Sequence, residues 1–205
     1  MSLQHNLMLA EFAVNYTQEK MTKGASNKPE DLTHSSMRHA AQNFVMRAFT
    51  QPDLNPASVI NQRNEMSPRF AQVESVHERA LMAADEVEGT GMGNCGEQSA
   101  VAYKYLYHRS DADLFVLAGL GTNHEFIIIG ADADQVRGLH LVSVAPNWPA
   151  DAVICDPWYH EWFAVAVSWP SKIRQILATT EPGWNHYQVD VRPKAQTKWN
   201  RVHWK

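Results

Sequence analysis

Cysteine is scarce in this chain, with only Cys95 and Cys155 among 205 residues. Two are too few for a disulfide framework, and their settings, a turn into a helix and a strand end, are not those of a designed pair; a reducing compartment is expected. Long apolar runs are missing as well. No stretch approaches the ~20 apolar residues of a membrane-crossing helix. Residues Met1 to Tyr16 carry His5, Asn6 and Glu11 and lack the basic start and continuous apolar segment of a secretion signal. The expectation is a cytoplasmic protein, or one delivered without a classical signal peptide, and not a membrane protein. Neither sign of charge dominates: eighteen Lys and Arg stand against twenty-two Asp and Glu, a net −4. The global balance therefore calls for neither nucleic acid nor an anionic membrane as partner.

What the chain does have is enough apolar content, 44%, to bury one substantial core. Three stretches are distinguished within a single compact domain: a helical N-terminal lobe (1–88), a core (89–182) and a basic aromatic tail (183–205). The first predicts helices over Asn6 to Glu19, Ser36 to Phe49 and Pro68 to Glu86, separated by turn-rich Thr22 to Thr33 and Gln51 to Ser58. From Gly89 the pattern changes. Ala100 to Tyr107 is apolar on most sides, as a buried helix is. Asp113 to Leu120 and His124 to Gly130 read as strands joined by the hairpin composition Gly121-Thr122-Asn123. Leu139 to Val144, Ala152 to Pro157 and Glu161 to Ser168 read as further strands, and Ser171 to Thr179 as a closing helix. One buried helix on an antiparallel sheet is an α+β arrangement. The tail interleaves Trp199 and Trp204 with Lys198, Arg201 and Lys205; it reads as a segment packed by its aromatics with its charges in water.

Cys95 carries the chemical interest. It lies in Gly-Met-Gly-Asn-Cys-Gly-Glu-Gln-Ser (Gly91 to Ser99), directly before the apolar helix. A thiol at a helix start meets unpaired N–H groups and the positive dipole end, which favour thiolate and can hold an oxyanion. Such a thiol needs a base, and the base needs an acceptor that fixes its tautomer. His124 begins the strand His-Glu-Phe-Ile-Ile-Ile-Gly, and Asp156 ends Val-Ile-Cys-Asp-Pro-Trp. Adjacent antiparallel strands would set the two side by side, facing the helix start.

The order of Cys at a helix start, His at a strand start and Asp before Pro on a later strand resembles the papain-like and transglutaminase-like superfamily of thiol enzymes. Gly-Asn-Cys-Gly-Glu and Cys-Asp-Pro-Trp are similar to segments of bacterial effector and toxin members that cleave or deamidate host proteins. The likeness spans about Gly89 to Ser168. It implies Cys95 as nucleophile, His124 as general base and Asp156 as orienting carboxylate, a protein substrate, no cofactor and no metal. The chain departs from it by an insertion, roughly Ala131 to Asp151, that caps the cleft or adds a strand.

Other readings of these residues stand beside that one. Asp156 before Pro157 also fits a turn residue that ends a strand. His160 and Glu161 are reserves for the base and the acid, and Glu97 reads as a structural helix charge. For the oxyanion, the Cys95 N–H is the main-chain donor, with Asn94 or Gln62 as side-chain donor. Trp158 either walls a substrate channel or fills the core. A metal site of Cys95, His124, Cys155 and Asp156 lacks closely spaced ligand pairs. The expected function is acyl transfer on protein amides, by deamidation, transglutamination or proteolysis. Its rivals are an arylamine-acetyltransferase-like enzyme, in which a Glu also stands two residues after the cysteine, and a non-catalytic binding module on the same fold.

Overall fold

The computed structural model describes residues 2–25, 58–73, 76–119, 124–131, 138–141, 147–178 and 186–190. Its elements in chain order are α1 (Leu3–Lys20), α2 (Ser58–Phe70), α3 (Val76–Thr90), α4 (Cys95–Arg109), β1 (Leu114–Gly119), β2 (Glu125–Ile129), β3 (Gly138–Leu141), β4 (Val153–Asp156), β5 (Glu161–Ala164), α5 (Val165–Ala178) and β6 (His186–Asp190). The six strands form one antiparallel sheet in the order β3-β6-β1-β2-β4-β5. This is the α+β arrangement that the sequence leads one to expect, with helices packed on the β2-β4-β5 part of the sheet. No described helix is long and apolar enough to cross a membrane.

Several boundaries differ from expectation. The helix expected over Pro68 to Glu86 is two: Pro68 falls in the last turn of α2, which ends at Phe70, and α3 starts at Val76. The strand from Glu161 ends at Ala164, where α5 starts without a connecting loop. The inserted stretch contributes β3, an added strand at the far edge, and the tail region contributes β6, which pairs with both β3 and β1. The Ser36 to Phe49 helix, the Gly121 to Asn123 hairpin and the tryptophans of the tail lie outside the described residues.

The centre of the sheet explains itself. Phe126, Ile127, Ile128 and Ile129 form an unbroken apolar run, and all four are at 0% exposure because β2 is covered on both faces. Ile127 and Ile129 join Val153 and Cys155 under α1 and α4, against Leu9, Ala10, Ala13, Val14, Tyr103 and Leu106. Ala10 and Ala13 keep that side of α1 thin, so the helix backbone lies close to β4 and Cys155 Sγ donates to the Ala10 carbonyl at 3.7 Å. Two side-chain amides of α1 extend the seam. Asn6 Nδ2 donates to Asp151 O at 2.8 Å and Gln18 Nε2 donates to Pro157 O, so α1 grips the chain just before and just after β4.

The loop into α4 is tied down from the same helix. Beyond its end, the N–H groups of Lys23 and Gly24 donate to Gly91 O at 2.7 and 3.3 Å, and Gly93 N–H donates to Gly24 O at 3.2 Å. Gly91 has φ +73°, and a Cβ there would lie 2.1 Å from Thr22 Oγ1. Gly91→Ala is therefore expected to destabilise the protein by about 1–3 kcal/mol through backbone strain alone, with the Thr22 overlap added. Gly89→Ala, where a Cβ meets nothing within 4 Å, should be neutral or stabilise by about 0.5 kcal/mol. Denaturant unfolding of both variants checks the contrast.

Candidate active site

Cys95 occupies the first position of α4. Asn94 is its N-cap in extended backbone, and Glu97 reaches back to accept the Asn94 N–H at 3.0 Å, one half of a capping box. Glu97 is thus a structural helix charge. Gly93 is required beside it, since a Cβ there would lie 2.6 Å from Glu97 Cβ. Gln98 braces the same loop by donating from Nε2 to Gly93 O at 3.0 Å.

One backbone unit docks the helix start on the sheet. Cys95 and Ser99 are four residues apart and share a helix face. The Glu125 N–H donates to the Cys95 sulfur, and Ser99 Oγ donates to the Glu125 carbonyl at 3.0 Å. Glu125 opens β2 and follows His124 directly, so the sulfur is fastened to the neighbour of the imidazole.

His124 and Asp156 are joined across adjacent strands, Nε2 to Oδ2 at 2.7 Å, at 7% and 0% exposure. Lys172, from α5, brings its ammonium to the same Oδ2 at 2.5 Å and to Glu161 Oε2 at 3.0 Å. The other carboxylate oxygen, Oδ1, accepts the Tyr159 N–H at 3.2 Å. The turn role and the partner role of Asp156 are therefore both present, one on each oxygen. Burial alone would push this carboxyl up, but His124 and Lys172, both bonded to its Oδ2, outweigh it and hold it below its ordinary 3.8. An ionised carboxylate only accepts, so Nε2 of a neutral His124 carries the ring proton and Nδ1 is left as the basic nitrogen. Trp158 and Tyr159 flank the ring at 5.5 and 5.0 Å between centroids.

The thiol departs from expectation. Cys95 is 4% exposed, and burial pushes it up to about 12, with the Glu125 N–H pulling the other way and the carboxylates of Glu125, Glu97 and Asp156 raising it further. Desolvation outweighs the helix start, so the resting group is a neutral thiol rather than the thiolate expected from position. The first intrahelical bond runs from Gln98 N–H to Asn94 O at 2.9 Å. The N–H groups of Cys95 and Gly96 stand before it in the first turn, where an oxyanion would be met.

No protein-family model, curated protein or solved structure matches the chain.

The remaining candidates are placed as follows. His160 is exposed, in left-handed backbone at φ 58°, on the turn after β4. Glu161 accepts from Lys172 at 3.0 Å. Gln62 is buried on α2 with neither end of its amide hydrogen-bonded, and no described contact brings it to Cys95. Cys155 is fully buried, its thiol pushed far up by burial and directed at Ala10. No group of three or more His, Cys, Asp or Glu that could hold a metal is found among the described residues. An open groove of about 560 Å³, lined by Trp162, Phe163, Ser168 and Ser171, shares Glu161 and Lys172 with the cluster.

Lys172 is the residue that sequence reading missed. Its signal is a lysine three positions after Trp169, on the same helical face as a tryptophan at 2% exposure, where a solvated charge does not belong.

The folded-state pKa of Asp156 lies below the unfolded value. Its contribution to stability is therefore full above the ordinary carboxylate range and is lost as the pH falls through the depressed value. Asp156→Asn, which leaves the buried ammonium with Glu161 alone, should cost about 3 kcal/mol at neutral pH, the low end for a broken buried pair. Denaturant unfolding followed down the acid limb should also give a flatter curve for the variant than for the wild type.

Proposed function

We propose that this chain is a thiol acyl-transfer enzyme of papain-like or transglutaminase-like architecture that acts on protein amides. The observation that carries the reading is the His124–Asp156 pair: a buried imidazole with its Nε2 taken by an ionised carboxylate, one residue from the amide that holds the Cys95 sulfur. In the proposed reaction Nδ1 of His124 takes the thiol proton as the sulfur bonds to the amide carbon. The carbonyl oxygen becomes an oxyanion against the first-turn N–H groups of α4. Collapse breaks the carbon–nitrogen bond, the imidazolium gives its proton to the departing nitrogen, and a thioester remains. Water then releases the acid, or an amine the crosslink. A neutral resting thiol suits this order, because proton removal and attack occur together once the amide is bound.

A glutamine side chain as the amide gives deamidation, and a peptide bond gives proteolysis. The effector likeness favours a host protein as substrate. Mass spectrometry of candidate host proteins after exposure to wild type and Cys95→Ala distinguishes Gln-to-Glu conversion, crosslinks and new termini. Wild type should produce one of these, Cys95→Ala none, and His124→Ala at least about a hundredfold less. A folded Cys95→Ala that retains the whole effect would exclude the enzyme.

The burial of the sulfur favours a second reading, a binding module in which the thiol is inert core. Iodoacetamide separates the two. Under the enzyme reading Cys95 reacts faster than Cys155, though more slowly than a free thiolate, because both thiols are raised. Equal rates for the two sulfurs would support the binding module.

A further inference from the structure

Lys172 has no part in the reaction just described, yet its side chain is as fully enclosed as that of Asp156, at 0% exposure. Its Nζ lies on Asp156 Oδ2, the oxygen that His124 also uses, and 4.3 Å from the centre of the Tyr159 ring. A lone buried carboxylate beside an imidazole draws it towards imidazolium. An imidazolium cannot take a proton from Cys95.

We propose that Lys172 is a positioning residue of this same site: its ammonium, sharing one carboxylate oxygen with His124, offsets the charge of Asp156 and so keeps the imidazole in its neutral, proton-accepting form. The inference rests on the acyl-transfer reading for its consequence and on the charge cluster for its content. The titratable and charged groups on the elements around His124 are Asp156 on β4, bonded to the ring, Tyr159 in the turn, 5.0 Å between ring centroids, Lys172 on α5 and Glu161 on β5, which join the cluster through the ammonium on Asp156 Oδ2, and Glu125 beside it in the chain, which links it to Cys95 and Glu97 at the start of α4. Among these Lys172 is the buried cation. A thiol that burial holds protonated supplies no negative partner for an imidazolium, so the base must be neutral to work.

The test is the titration of the His124 ring by NMR on chains labelled in histidine, all carrying Cys95→Ala so that the reading is independent of acyl transfer. The His124 signal is assigned by its loss in His124→Gln. Lys172→Met should raise the imidazole pKa by about one unit or more, a tenfold change in proton affinity. Because Lys172→Met takes the buried cation from Asp156 and so threatens the fold, Asp156→Asn and Asp156→Asn/Lys172→Met are compared as well. The double variant buries neither charge, and it too should titrate about one unit above the single one. A change below about 0.3 unit in the folded comparison overturns the proposal and leaves Lys172 as a strut. In the catalytic chain, the acid limb of the rate profile should move to higher pH with the imidazole. If the ring shifts as expected while no Cys95-dependent modification of any protein is found, the acyl-transfer reading fails and the electrostatic role of Lys172 stands. If modification is found and the ring does not shift, the reverse holds.

Discussion

A carboxylate with no access to water sits at the end of a fully buried strand, and much of this structure is arranged around that fact. Asp156 follows Val153, Ile154 and Cys155, none of which is exposed. Removing such a group from solvent is prohibitive unless its charge and both oxygens are answered. They are answered from three directions: a strand-start imidazole, a helix ammonium and the N–H of the following turn. Each of those partners is thereby fixed in place. The site and the packing of α5 on the sheet are, in that sense, one interaction.

The cysteine is held by other means. Its position depends on a loop whose glycines accept close backbone contact with the chain after α1 and on a cap that starts α4 at Asn94. The last step is main-chain recognition, since both polar groups of the Glu125 peptide are taken by side chains of one helix face. Main-chain bonds of this kind are insensitive to the side chain at 125. They require only that the strand begin there.

The two halves of the site differ in electrostatic character. Asp156 is ionised despite burial because an ammonium, an imidazole and a main-chain N–H all meet it, whereas Cys95 is protonated because burial is met by carboxylates and a single N–H. The charge of this cluster thus lies on the carboxylate and the ammonium, and the sulfur is left neutral. The α1 helix supports both halves, through Gln18 at Pro157 and through the Gly24–Met92 bridge. The α1 helix and the turn after it therefore act as part of the scaffold.

Local pattern alone determined the α+β class, the strand that follows His124, the helix start at Cys95 with the glycines before it, and the order of thiol, imidazole and carboxylate along the chain. These are legible because periodicity, capping chemistry and turn residues act over a few neighbours. Only the tertiary structure decided that Lys172 shares an oxygen with His124, that β6 pairs between β3 and β1, and that the thiol is neutral. Each of these depends on which surfaces meet and how much water they exclude, and burial is a property of the assembled fold that no short stretch of residues encodes.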